Sequence, residues 1–296
     1  MTAAGRNVSA GRRIVGSAFA KRHQLRPSFG FYAKIILTVL LVLWMIPEVY
    51  MVSVSLRPPD KSFDPSLFVL PITFDNFATV IHDNPLLRFF WNSLVITIGT
   101  VLVVLVAGSM FAYAASVLRL KKTMLIYIIL LTTLMVPVAS IVLPLAIMLK
   151  SFDWINSYQG LVLPYAALGI PYAIVIIKAF MDDSPRDLFE AAMIDGCTTL
   201  QMFFHVALPL VKPALIFVAI WQFIVTWNEF FLALVVMTDS EHKTVTLVPM
   251  QYSGMYMANP GALFAVLVII ALPLIFLYVF IQRYFMAGLL SGAVKG

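Results

Sequence analysis

The chain has 296 residues, 61% of them hydrophobic and only 11% charged, with a formal net charge of +6. A soluble domain carries about 25% charged residues and could not hide this much apolar surface, so most of the chain must be solvated by lipid. The basic excess then belongs to loops at a membrane face rather than to nucleic-acid binding. The single cysteine, Cys197, excludes an internal disulfide and a cysteine-based metal cluster.

Residues 1–30 form a basic tail, too long and too polar for a cleavable signal peptide, and no small-residue cleavage site follows the first apolar run. Crossing a bilayer takes about 20 apolar residues. Six runs qualify: Phe31 to Val52, Trp91 to Leu118, Met124 to Leu149, Gly160 to Phe180, Pro213 to Met237, and Ala262 to Tyr284. The expected fold is an all-α integral membrane protein, with a six-helix domain over 31–285 and a cytoplasmic C-terminal tail over 286–296.

Lys and Arg set the orientation. Arg6, Arg12, Arg13, Lys21, Arg22, Arg26 and Lys34 precede or open the first run. Arg119, Lys121 and Lys122 follow the second, and Arg283 and Lys295 end the chain. The alternate connections hold Asp60, Asp64, Asp75, Asp83, Asp153, Asp239 and Glu241. Both termini are therefore expected in the cytoplasm of a cell-membrane protein. Of the outer segments, Ser53 to Phe90 and Thr238 to Gly261 are long enough to have shape. Pro58, Pro59, Asp60, Pro65 and Pro71 mark the first as a loop on the membrane surface, where an outside partner could dock.

The connection from Met181 to Lys212 differs from the others. Ser184 is placed to cap a helix with Pro185 in its first position, and Gly196 is placed to end that helix about eleven residues later. Thr198 and Gln201 make a second cap-and-return pair, and the second helix runs on to Pro209. Leu188, Phe189, Ala192, Met193, Phe203 and Phe204 suit apolar surroundings. Arg186, Asp187, Glu190 and Asp195 are spare polar groups, and the small Ala191 and Ala192 permit close approach of another surface. As physics alone this is either an amphipathic helix pair that anchors a loop or a docking element.

Glu190-Ala191-Ala192, then Gly196, then Val206 and Leu208-Pro209 resemble the EAA loop of binding-protein-dependent ABC importer permeases, with Val206 where isoleucine is usual. Phe180, Pro185, Leu188, Asp195-Gly196 and Trp227-Asn228-Glu229-Phe230 look like the carbohydrate branch. So do Tyr158-Gln159-Gly160-Leu161 and Leu163-Pro164-Tyr165. Gln282-Arg283-Tyr284-Phe285 and Gly292-Ala293-Val294-Lys295-Gly296 are similar to the smaller permease subunit of maltose-type importers.

The resemblance implies that Glu190, Ala191, Ala192, Asp195, Gly196, Leu208 and Pro209 couple the spans to an ATPase, Glu190 through a polar contact and Gly196 through the turn. It further implies a second related permease, two ATP-hydrolysing subunits and an extracytoplasmic sugar-binding protein. The cargo expected is a di- or oligosaccharide, with glycerol 3-phosphate as the related alternative.

Glu229 stands 16 residues after Pro213, about 24 Å along a helix. A carboxylate at that depth must face a cavity or a partner. Trp227, Asn228 and Glu229 therefore either line a translocation path, where aromatic faces and hydrogen-bonding groups suit a sugar, or Glu229 makes a structural hydrogen bond to a neighbouring helix. Lys178 is expected to snorkel to the membrane surface. The sequence has no GxxxxGK[ST] phosphate loop, so ATP and any other cofactor would belong to a partner. His23, His82, His205 and His242 are scattered, without metal-ligand or catalytic spacing, so neither a metal site nor an enzyme is expected. An ion-coupled secondary transporter would call for internal repeats or intramembrane charge pairs, and Glu48 and Glu229 are the only acidic candidates.

Overall fold

The computed structural model describes residues 27–254 and 259–293, with side chains over 31–254 and 259–280. The basic tail up to Arg26 and the final three residues lie outside the described residues. Those described are helices and connections, with no β-strand. The chain divides into two units, Met1–Ser53 and Val54–Gly296.

The first unit is described by α1 (Pro27–Ser55), which carries Pro47 inside it. An 18-residue apolar window within Phe31–Ser55 has no buried residue, and burial begins only at Val54 and Ser55 at its end. A helix apolar all round and exposed over most of its length suits lipid or another protein, not water.

The second unit begins with the Val54–Phe90 connection, which has a polar core of its own. Arg57 is fully buried, and its guanidinium donates to the carbonyls of Asp64 and Ser66. Buried Asn76, in α2 (Asp75–Asp83), donates to the carbonyls of Ser55 at 3.1 Å and Arg57 at 2.7 Å. This segment is a folded cap, held by side chains that satisfy its backbone.

At the centre of the unit, α3 (Leu86–Ser116) packs against α6 (Gln159–Asp182). The backbones approach because the seam is small: a Cβ on Gly108 would stand 3.0 Å from that of Ala173. α10 (Lys212–Trp227) lies against both, and α12 (Pro260–Ala293) completes the unit. The last helix continues to Ala293, so the tail expected from 286 is helical over most of its length.

Two of the expected runs are not single helices. The third is α4 (Thr123–Thr133) and α5 (Val138–Ser151), bent by 104°. Pro137 sits at the break: it has no N–H for the ladder and disfavours helix at Val136. The fifth run, expected from Pro213 to Met237, is α10 and then α11 (Phe231–Val236), separated at 228–230. Four helices are continuous, long and apolar enough to cross a membrane, or up to six spans if each of two bent pairs counts as one. The other bent pair joins Thr199–Leu210 to Lys212–Trp227 at 76°.

Candidate functional site

The connection after α6 folds as a helix–turn–helix. α7 (Arg186–Ile194) starts after Pro185, whose φ of −59° and ψ of 126° mark it as the cap residue itself. Ser184 does not cap it: its hydroxyl turns back and donates to the Phe180 carbonyl at 2.9 Å, which finishes α6. This corrects the expected start and shortens the helix to nine residues. Asp187 in the first turn faces the positive end of the helix dipole.

The end of α7 is as expected. Gly196 has φ +81°. Its N–H donates to the Met193 carbonyl at 3.1 Å, and the Cys197 N–H donates to the Ala192 carbonyl at 3.0 Å. That pair of bonds is the Schellman closure, and it needs a left-handed residue at this position. Thr198 then opens α8 (Thr199–Met202) with a full capping box: the Gln201 N–H donates to Thr198 Oγ1 at 3.3 Å, and the Thr198 N–H donates to Gln201 Oε1 at 2.8 Å. A π-turn over Phe203–Ala207 leads into α9 (Leu208–Leu210). Pro209 cannot donate to a helical carbonyl one turn back, which accounts for the wider turn before it.

The pair is seated on the ends of the spans. Phe189, Ala192, Met202, Phe203 and Ala207 share one buried cluster with Tyr113 of α3 and with Ala173, Ile177 and Met181 of α6. The Tyr113 hydroxyl donates to the Thr199 carbonyl at 3.0 Å, and its ring lies 5.2 Å from that of Phe203. Tyr113 was not among the expected site residues. Only its place near the end of the second apolar run hinted at it. The opposite face of the pair is open. Glu190, Ala191, Asp195 and Pro209 are exposed, as are Leu188, Met193, Ile194, Leu200 and Phe204, Ile194 at 86%. Ala192 is buried and Leu208 half-buried, so these two hold the element in place. Lys178, at the same end of α6, pairs with the half-exposed Asp182 one turn nearer the end of the helix at 2.5 Å.

Trp227, Asn228 and Glu229 lie at the other end of α10 and point three ways. Trp227 is 2% exposed, stacked on Phe223 with ring centroids 5.7 Å apart, and its indole N–H donates to the Ile270 carbonyl of α12 at 3.2 Å. Asn228 is exposed and donates to the Ile224 carbonyl at 2.8 Å. Glu229 is half-buried and accepts from the Tyr165 hydroxyl of α6. It also accepts from the N–H groups of Leu232 at 3.0 Å and Ala233 at 3.3 Å, capping α11. Its carbonyl accepts from the Thr246 hydroxyl at 3.1 Å. Of the two expectations for Glu229, the arrangement supplies the structural hydrogen bond to a neighbouring helix.

The same end is knitted by further polar contacts. Tyr158 donates to Asn92 Oδ1 at 2.8 Å, and Asn92 donates to the carbonyls of Glu241 and Lys243 at 2.8 and 3.0 Å. Asn156, at φ 56°, accepts from the N–H groups of Thr238 at 2.6 Å and Asp239 at 3.1 Å. Partial burial works against an ionised Asp239, but the N–H and ring of His242 and the N–H of Glu241 outweigh it, holding the carboxyl below its ordinary range. Groups of three or more metal-ligating side chains are absent among the described residues.

The sequence profile of the binding-protein-dependent transport system inner membrane component family matches residues 105–290. The diacetylchitobiose uptake system permease protein of Streptomyces coelicolor is 30% identical over 264 residues, covering 86% of this chain and 87% of that protein. The trehalose/maltose transport system permease protein of Thermococcus litoralis is 33% identical over 259 residues, covering 86% and 93%. Among solved structures, a chain of a bacterial ABC transporter involved in the import of the acidic polysaccharide alginate superposes with a TM-score of 0.76. That match has 22% identity and covers 87% of this chain and 96% of the other, and it shows a common fold.

Proposed function

We propose that this chain, which belongs to the family of binding-protein-dependent transport system inner membrane components, is a sugar-translocating permease subunit of an ATP-binding-cassette importer. The relatives that share about a third of its sequence are named for di- and oligosaccharides, and a cargo of that class is the reading they support. A solved relative of the same fold is described in complex with an oligosaccharide-bound periplasmic protein, which supports an extracytoplasmic binding protein as one partner.

The observation that carries the reading is the helix–turn–helix over 186–210. One face is cemented to α3 and α6, and the other presents Glu190, Ala191 and a set of exposed apolar side chains. An element anchored on one side and apolar on the other is suited to dock in a cleft of a second protein. We assign that protein as the ATPase, two copies serving this chain and a related second permease. The 183–211 end and both termini then face the cytoplasm, in agreement with the lysine and arginine distribution. ATP binding would draw the two ATPases together and move α7, and the paired permeases would open outward to receive sugar. Hydrolysis would return them. In this assembly the chain itself contributes transport, not catalysis.

The test is purification of the tagged chain from its native membrane in mild detergent, followed by mass spectrometry and reconstitution. Co-recovery of a second permease and an ATPase is expected. Glu190→Lys should leave the chain in the membrane and abolish ATP-driven uptake. Recovery of the chain alone, or full uptake by the Lys variant, would sink the coupling assignment.

A further inference from the structure

Glu229 and Trp227 do not exhaust the polar and aromatic groups along the spans. α10 carries a second tryptophan on another face. Trp221 is 44% exposed, and its ring lies 5.2 Å from that of Tyr172 on α6, tilted by 30°. Tyr172 is half-buried. It lies 13 residues into the 24-residue α6, about 20 Å along it, and Trp221 lies about 14 Å along α10. The pair therefore lies midway along both helices. Among the described residues, neither the Tyr172 hydroxyl nor the Trp221 indole N–H has a hydrogen-bond partner. One and two turns further along the same face of α10, Val225 and Asn228 are also exposed.

Tyrosine and tryptophan in a bilayer collect at the two interfaces because one end of each ring system needs water or a partner. Midway along the spans, lipid offers neither. An exposed aromatic surface with a free O–H and a free N–H at that depth suits a ligand with an apolar face and hydroxyls at its edge. A pyranose ring has both.

A groove of about 820 Å³ at the far end of α10 offers such a ligand mostly apolar walls. Its walls include Pro85, Leu87, Trp91 and Pro273; the N–H of Trp227, which also lines it, is already used by Ile270, and the Arg88 guanidinium lies 4.0 Å from the Glu241 carboxylate.

We propose, building on the permease reading above, that Tyr172 and Trp221 form a sugar-contacting platform on the translocation path, with Asn228 further along the same stripe. The platform takes one pyranose residue of a di- or oligosaccharide, its C–H face on the indole and its hydroxyls on Tyr172 and the Trp221 N–H.

Tyr172→Phe keeps the ring and removes the hydroxyl. Trp221→Phe keeps an aromatic face and removes the N–H, and Trp221→Ala removes both. Each variant is assembled with its companion subunits in proteoliposomes and given radiolabelled trehalose, maltose or diacetylchitobiose with saturating binding protein. Sugar uptake and ATP hydrolysis are measured together. Loss of one or two hydrogen bonds and a stacking face is expected to slow uptake about tenfold in Trp221→Ala and about threefold in each Phe variant, while ATP hydrolysis changes less than about twofold. Uptake at the unmutated rate in all three would overturn the platform. So would parallel loss of uptake, hydrolysis and assembly, which is the signature of a pair that only packs against lipid or the second permease. Failure of the unmutated assembly to carry any of the sugars is a separate result, and it would remove the sugar-permease reading itself.

Discussion

Gly196 lies at φ +81°, and a Cβ added there meets nothing within 4 Å. Substitution therefore tests backbone conformation without a clash. An ordinary L residue in the left-handed region costs about 1–2 kcal/mol, which opens the Schellman closure about 5–30-fold more often. Asn tolerates the region and a β-branched residue does not, so the expected order of damage is Asn, then Ala, then Val. Hydrogen exchange of the Cys197 amide, which donates to the Ala192 carbonyl, reads the opening directly, and ATP-driven uptake by the reconstituted assembly reads its consequence. Size predicts a different order, because Asn is bulkier than Ala. If Gly196→Asn exchanges faster and transports worse than Gly196→Ala, the conformational account is wrong and the position is crowded by a partner. If Gly196→Val protects Cys197 as well as glycine does, the turn does not need its left-handed residue.

Tyr165→Phe removes a hydrogen bond to a carboxylate from a residue that is 5% exposed. A loss of about 1.5–3 kcal/mol, or about 3–12 °C in the melting temperature of the detergent-solubilised chain, is expected; no change in melting would show that Glu229 is held by the α11 amides alone. Gly169→Ala drives a methyl into the Gln222 amide, which is buried and donates to Thr226 at 2.9 Å. It should cost about 1–3 kcal/mol, and the added change Gln222→Ala should recover most of that; a double variant no more stable than Gly169→Ala would refute the contact. Asp239 has a depressed folded pKa, so its contribution to the 238–245 connection is complete above the ordinary carboxylate value and is lost as pH falls through the folded value. Amide protection of that connection should hold at about pH 5 and decline only at pH below the ordinary carboxylate range, and Asp239→Asn should remove the decline.

The helix–turn–helix was readable because its signals are local. Gly196 needs only its own φ, and Thr198 and Gln201 are three residues apart. Ser184 misled for the same local reason. Its neighbour Pro185 took the cap geometry, and the hydroxyl found the Phe180 carbonyl one turn behind. Hydropathy located the apolar runs but not their breaks, because a run of leucines and valines reads alike whether straight or bent by 104°. Pro137 was the available sign. The contacts that join elements were not readable. Tyr113 meets Thr199 across 86 residues and Tyr165 meets Glu229 across 64, and no periodicity connects such partners. Trp227 and Trp221 show the same limit, six residues apart on one helix: sequence gives both an aromatic face, and only packing shows that one is buried and the other open.

The positions of rigid and yielding backbone bear on how a push on α7 would travel. Phe189, Ala192, Phe203 and Ala207 share a buried cluster with Ala173 and Ile177, and the Gly108–Ala173 approach leaves no room to slide there. Close-packed seams pass strain on instead of absorbing it. The backbone is interrupted at the other end of α10, at 228–230, and α12, though continuous, lacks one ladder N–H at Pro273. Trp227 bridges these two points through the Ile270 carbonyl, three residues before the proline. On the permease reading, displacement of the 186–210 segment would be carried along α6 and α10 through this packing. It would then reach the contacts by which Trp227, Glu229 and Tyr165 join α10 to α12 and α6.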